Sequence, residues 1–135
     1  MASARPKLVE EPSQAFSDWH RENLPETARM MDVDLCYYDA DGVYLVGEVI
    51  HIRRGTLEDA GTDDYAVWSH KQDVLENLSA RLGVPAVVVW KSPENDDEVA
   101  VKVLPNEDVR RMDADEYASM LKLARRRHRE GGAST

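Results

Sequence analysis

MMDVDLCYYDADGVYLVGEVIHI, residues 30–52, decides how the rest of this 135-residue chain is read. Two runs rich in valine, isoleucine, leucine and tyrosine, Asp32–Tyr38 and Val43–Ile52, flank the polar turn Asp39-Ala40-Asp41-Gly42. That composition favours strands, and Gly42 supplies the positive φ that a tight hairpin needs. With Ala40-Asp41-Gly42 as a three-residue loop, Asp39 pairs with Val43, Asp34 with Glu48 and Asp32 with Ile50. Residues directly opposite share a face, their β-carbons about 5 Å apart. Two carboxylates then meet among apolar neighbours, where repulsion and desolvation both penalise the charges. A cation bound by both removes that penalty. The competing reading makes Glu48 a solvent-facing edge residue and Asp32 and Asp34 turn or cap residues. A register slip of one residue would put the two acids on opposite faces.

Outward from the hairpin toward the N-terminus, Ser13 can cap a helix over Ser13–Asn23, stopped by Pro25. Phe16 and Trp19 fall three apart on it, and His20 shares the Phe16 face, in the plain reading as a packed helix histidine. Residues 1–12 are polar and proline-broken and read as a mobile leader.

In the other direction, Arg53-Arg54-Gly55 to Asp64 reads as a surface loop of about ten residues, near the length at which loops are functional or mobile. A second helix is expected over Asp64–Leu82, closed by Gly83 with Pro85 beyond. Its apolar stripe is Leu75, Leu78 and Leu82, with Val74 beside it and Val67 and Trp68 earlier. Four residues back from Leu75 stands Lys71, directed toward the core side. Either it snorkels along the stripe edge or it serves the acids. VPAVVVW, Val84–Trp90, is apolar without alternation and reads as a central strand buried on both faces. Lys91–Glu98 forms a turn and Val99–Leu104 an alternating, half-exposed strand, broken at Pro105–Asp108. Asp113 caps a last helix, Ala114–Arg129, with Tyr117, Met120, Leu121 and Ala124 on one stripe. That helix ends in Arg125-Arg126-Arg127-His128-Arg129, which is either a solvated helix end suited to the dipole or a phosphate-contacting patch. Residues 131–135 read as a disordered tail, leaving one α/β domain over 13–130 with a mixed sheet of about four strands flanked by helices.

The bulk composition limits the partners. There are 26 acidic residues against 17 basic ones, a net charge of −9. Such a field opposes non-specific nucleic-acid binding, so any polynucleotide contact must come from local basic clusters such as Arg53/Arg54 and Arg125–Arg129. Cys36 is the single cysteine, which rules out a disulfide framework and a cysteine-based zinc site; in a strand it reads as a small buried hydrophobe. No run approaches the ~18 apolar residues of a membrane span and no signal-peptide core opens the chain, so a soluble cytoplasmic protein with no membrane partner is expected. No glycine-rich phosphate loop or nucleophile motif supports a small-molecule enzyme of another α/β type.

Helix, hairpin with Asp34 and Glu48, helix, buried strand, strand and helix, in that order, resemble the PD-(D/E)XK nuclease superfamily and its small uncharacterised members. The resemblance covers roughly residues 16–104. It is carried by Trp19-His20-Arg21, Met31-Asp32-Val33-Asp34, Gly47-Glu48-Val49, His70-Lys71 and Gly83-Val84-Pro85-Ala86-Val87-Val88-Val89. It implies a restriction-endonuclease-like core and hydrolysis of DNA with Mg2+, for which Mn2+ substitutes. Asp34 and Glu48 would be the metal ligands, with Asp32 as the alternative to Asp34. The superfamily's lysine stands two residues after the glutamate, where this chain has Ile50. Some members carry it instead on the helix behind the hairpin, which implies Lys71 here, with Gln72 and His51 as weaker substitutes and His20 as a further catalytic candidate. A second reading keeps the fold without the chemistry: a binding or assembly module, with a homodimer or another assembly partner, of a virus or mobile element.

Overall fold

The computed structural model describes residues 10–27, 29, 31–106 and 108–133; residues 1–9 of the expected leader and the last two residues of the expected tail lie outside that set. The chain divides into two compact units, Met1–Met31 and Asp32–Thr135. The first contains helix α1, Glu10–Asn23, which starts three residues before the Ser13 cap. On it Phe16 stacks on Trp19, with ring centroids 5.9 Å apart, and His20 meets the Phe16 edge at 6.1 Å.

The second unit holds strands β1 Leu35–Asp39, β2 Gly42–His51, β3 Ala86–Lys91, β4 Glu98–Val103 and β5 Arg110–Asp113, with helices α2 Ser69–Leu82 and α3 Ala114–Ala133. The sheet order is β1-β2-β3-β4-β5, one strand more than expected. The extra strand, Arg-Arg-Met-Asp, has no apolar alternation to betray it. It exists because β4 offers a free edge, and only Met112 is buried. β2 and β3 are parallel, joined through α2, and every other neighbouring pair is antiparallel. A parallel neighbour requires such a crossover, and α2 supplies it.

Two apolar layers cover the sheet. On one face Val46, Ala86, Val88, Trp90 and Ala100 pack with Leu75 and Leu78 of α2. On the other, Leu45, Val87, Val89, Val101 and Met112 pack with Tyr117, Met120, Leu121 and Ala124 of α3. β3 lies in the middle and is buried from Ala86 to Trp90, because both faces are covered and both edges are paired. The unbroken apolar run demanded this position.

The hairpin reaches the expected register by a different route. Asp39 pairs with Gly42, not Val43, around a two-residue Ala40-Asp41 turn in which Gly42 has φ +115°. A bulge then absorbs one residue between Tyr37/Leu45 and Tyr38/Val43. The shorter turn and the bulge cancel, so Leu35 still faces Gly47, and Asp34 lies one step beyond, in line with Glu48.

Gly47 is required by a close approach. A β-carbon there would come 2.5 Å from the carbonyl oxygen of Val87. Gly47→Ala is therefore expected to destabilise the protein by about 1–3 kcal/mol, seen as a lower urea midpoint at unchanged slope. An unaltered midpoint would mean that β2 and β3 can separate freely at this point.

Cys36 corrects an expectation. It is exposed, since β1 is an edge strand and α2 packs against β2 and β3. Trp68 corrects another. Helix α2 begins at Ser69, not Asp64, so Trp68 lies outside the helix stripe and is 73 % exposed, and Leu82 and Val74 also reach solvent. The loop before α2 is tied down. Thr56 and Asp59 form a reciprocal cap, Trp90 Nε1 donates to the Tyr65 carbonyl at 2.6 Å, and Ser92 Oγ donates to the Gly55 carbonyl at 2.7 Å. These bonds fix where α2 starts, and hence where Lys71 stands. No helix among the described residues is long and apolar enough to cross a membrane.

Candidate active site

Alternation along β2 puts Glu48 on the same face as Val46 and Ile50, the face that α2 covers. Asp34, just before β1, reaches the same place from the edge, and its Oδ2 accepts the Val49 amide at 3.1 Å. From above comes Lys71, in the first turn of α2. Its Nζ stands 3.0 Å from Glu48 Oε1 and also donates to the main-chain carbonyl of Asp32. The lysine and glutamate side chains are only 12 % and 19 % exposed. The helix stripe thus delivers the lysine to the glutamate, as its spacing from Leu75 predicts.

The electrostatics of the cluster are not balanced. Glu48 Oε1 is sealed from solvent, and no donor among the described residues is aligned for a hydrogen bond to it. The lysine contact is one of charge and proximity. Burial first, then the facing Asp34 carboxyl, hold the Glu48 pKa above its ordinary value; Lys71 pulls it down without cancelling them. Asp34 itself is exposed, so the pair is reachable from solvent.

Among the described residues no three His, Cys, Asp or Glu side chains gather in a way that could hold a metal ion. The cluster offers two carboxylates, Asp34 and Glu48, while Asp32 contributes its carbonyl to Lys71. Two carboxylates are the usual protein share for Mg2+, which keeps several waters and takes further oxygens from a phosphate. A buried carboxylate oxygen without an aligned donor, beside a second carboxylate, fits such an ion.

The other candidates lie elsewhere. Gln72 donates to Glu76 at 2.9 Å along the helix. His51 alternates to the opposite face of β2 from Glu48 and is exposed. His20 belongs to the first unit. Ile50, two residues after Glu48, packs against the α2-face core. Arg53 and Arg54 are exposed just past the end of β2, with the Arg54 amide and carbonyl both bonded to the Tyr65 hydroxyl.

The basic run of α3 is partly spent inside the protein. Arg125 Nε bonds Asp39 Oδ2 at 2.6 Å, Arg129 approaches Asp39 at 3.6 Å and Asp41 at 3.7 Å, and His128 Nε2 lies 3.3 Å from the Asp41 carbonyl. The Arg125 hydrogen bond holds the Asp39 carboxyl below its ordinary pKa. This clamp fastens the hairpin turn to α3, six residues from Glu48, or about 20 Å along the strand. Arg126 and Arg127 are exposed, and Arg127 lines a cavity of about 590 Å3 with Leu45, Val87, Arg110 and Met120. That cavity opens on the α3 face, away from Glu48. The clamp was not legible beforehand, because it joins residues more than 80 apart; its only trace was a basic helix end and an acidic turn.

No protein-family model, curated protein or solved structure matches this chain, so the meaning of the cluster is argued from its own geometry.

Proposed function

We propose that Asp34, Glu48 and Lys71 form the active site of a divalent-metal-dependent phosphodiesterase acting on DNA, in a core of the restriction-endonuclease-like kind. The observation that carries this reading is the Glu48 carboxylate, with an oxygen sealed from water, a second carboxylate facing it and a lysine 3.0 Å away. Asp34 works against a purely structural ion pair, because its carboxyl raises the Glu48 pKa where Lys71 lowers it.

In this reading Asp34 and Glu48 hold Mg2+ or Mn2+. The bound ion supplies a more acidic water and neutralises phosphate charge. Lys71 keeps its ammonium at the junction of Glu48 and the phosphate, where it stabilises the charge that grows on the phosphoryl oxygens. Asp32 orients that ammonium through its carbonyl. Water oxygen bonds to phosphorus as one ester oxygen leaves; the water's proton passes to solvent and the leaving oxygen takes one up. The exposed Asp34 leaves the site open to a polymer.

The test is metal-linked stability. Mn2+ or Mg2+ at ten times its dissociation constant, at matched ionic strength, is expected to raise stability by about 1.4 kcal/mol, a few degrees in Tm. Asp34→Ala is expected to abolish the rise. Identical melting curves with and without the ion would overturn the site. Ile50 and the internal use of Arg125 and Arg129 favour the second reading, a nuclease-like module without catalysis. A full metal response with no cleavage of linear, branched or single-stranded DNA would decide for it.

A further inference from the structure

Trp68 breaks two local rules beside this site. It occupies the N-cap of α2, where serine, threonine or aspartate would bond the free amides, and its side chain makes no capping bond. It also leaves 73 % of a large apolar side chain in water. A chain that gives up a cap and exposes an indole at one position is the pattern expected of a functional residue. His70, also exposed, makes an edge-to-face contact with the indole, with ring centroids 6.4 Å apart. Lys71 is the third residue of α2 and Trp68 its N-cap, so the two belong to the same end of the helix, the indole turned to solvent and the ammonium turned in to Glu48. The indole and the Asp34–Glu48–Lys71 cluster therefore share the entrance to α2.

We propose that Trp68, in contact with His70, is a stacking platform for an unpaired base of a single-stranded polynucleotide whose adjoining phosphate lies at Asp34, Glu48 and Lys71. This rests on the proposed phosphodiesterase site and names its substrate class. Charge favours the single strand over the duplex. Duplex binding depends on phosphate contacts, and a protein of net charge −9 with Arg125 and Arg129 tied to Asp39 and Asp41 supplies few of them. Stacking on an aromatic face needs no net charge and is open only to bases that are not already stacked in a duplex. Every base presents such a face, so the platform selects strandedness and not sequence.

The experiment measures anisotropy of labelled 12-mers at low salt in Ca2+, a larger cation that takes carboxylate oxygens and acidifies its bound water less than Mg2+, with strand integrity checked on a gel: oligo-dT, oligo-U, an abasic strand with the same phosphates, and a 12-base-pair duplex. Oligo-dT and oligo-U are expected to bind about tenfold or more tightly than the abasic strand and the duplex. Trp68→Ala is expected to bring them down to the abasic level, while Trp68→Phe keeps most of the difference. Because Trp68 is exposed, both variants should melt with the parent, and the comparison is made on variants that do. A preference for oligo-dT or oligo-U narrows the substrate to DNA or RNA without moving the proposal. Equal binding of abasic and base-bearing strands, no binding by any strand, or an unchanged affinity in Trp68→Ala would overturn it. The metal-dependent Tm rise is read separately on the same protein. If it persists while the platform fails, the hydrolase reading stands with another phosphodiester; if it vanishes while the platform holds, the site reading alone falls.

Discussion

Lys71→Met is expected to lower metal-dependent phosphodiester cleavage by about 100-fold or more while the protein stays folded. The methionine keeps most of the stem and removes only the ammonium. Among the described residues that ammonium is the cation paired with Glu48, at 3.0 Å, and in the proposed site it is the group that meets charge growing on a phosphoryl oxygen. Losing a positioned donor or acid of this kind typically costs 10²–10⁴ in rate. Folding survives because Glu48, whose pKa is already raised by burial and Asp34, can take up a proton when its partner is gone. Adding Ile50→Lys to this variant returns an ammonium two residues after the glutamate on the same face of β2, and part of the activity is expected to return with it. The readout is nicking of single-stranded and duplex DNA in Mg2+, with circular dichroism melts beside it. Equal rates in parent and Lys71→Met would show that the lysine only pins Asp32 to Glu48.

Glu48→Gln is expected to abolish the Mn2+-dependent rise in Tm, abolish cleavage, and make the metal-free protein more stable at neutral pH. The sign follows from the direction of the pKa shift. A carboxyl whose folded pKa lies above its unfolded value favours folding when protonated. That contribution is full below the unfolded glutamate value and is lost as pH rises through the raised folded value. The metal-free parent should therefore lose stability across that window and level off above it, and Glu48→Gln should remove this part of the profile. The difference between the two proteins is then positive at neutral pH and closes in acid. Asp39 works in the opposite direction: its pKa is lowered by Arg125, so its contribution is present above the unfolded aspartate value and lost as pH falls through the folded one. Melts of both proteins across pH, with and without Mn2+, separate these effects. A Glu48→Gln variant less stable than the parent at neutral pH would mean that the Lys71 attraction outweighs burial and Asp34.

Much of this arrangement was legible from local patterns. The alternation of residues 43–52 set which side chains share a face with Glu48, and the unbroken VPAVVVW run demanded the centre of a doubly covered sheet. The Leu75-Leu78 stripe aimed Lys71 at the hairpin. Each of these follows from periodicity over a few residues, which the chain carries wherever it folds. The register that joins Asp34 to Glu48 was reached through a wrong turn: the two-residue loop and the bulge at Tyr37/Tyr38 cancel, and neither leaves a mark in composition.

Only tertiary structure decided the rest. Strand β5 has almost no apolar signal and forms because β4 has an edge to fill. Cys36 is exposed because it falls on an edge that α2 does not cover, which no property of cysteine foretells. Arg125 and Arg129, which read alone as a patch for phosphate, are bound to Asp39 and Asp41, because the end of α3 lands on the hairpin turn. Charges in a sequence announce that they need partners; which partners they find depends on distances that only the folded chain creates.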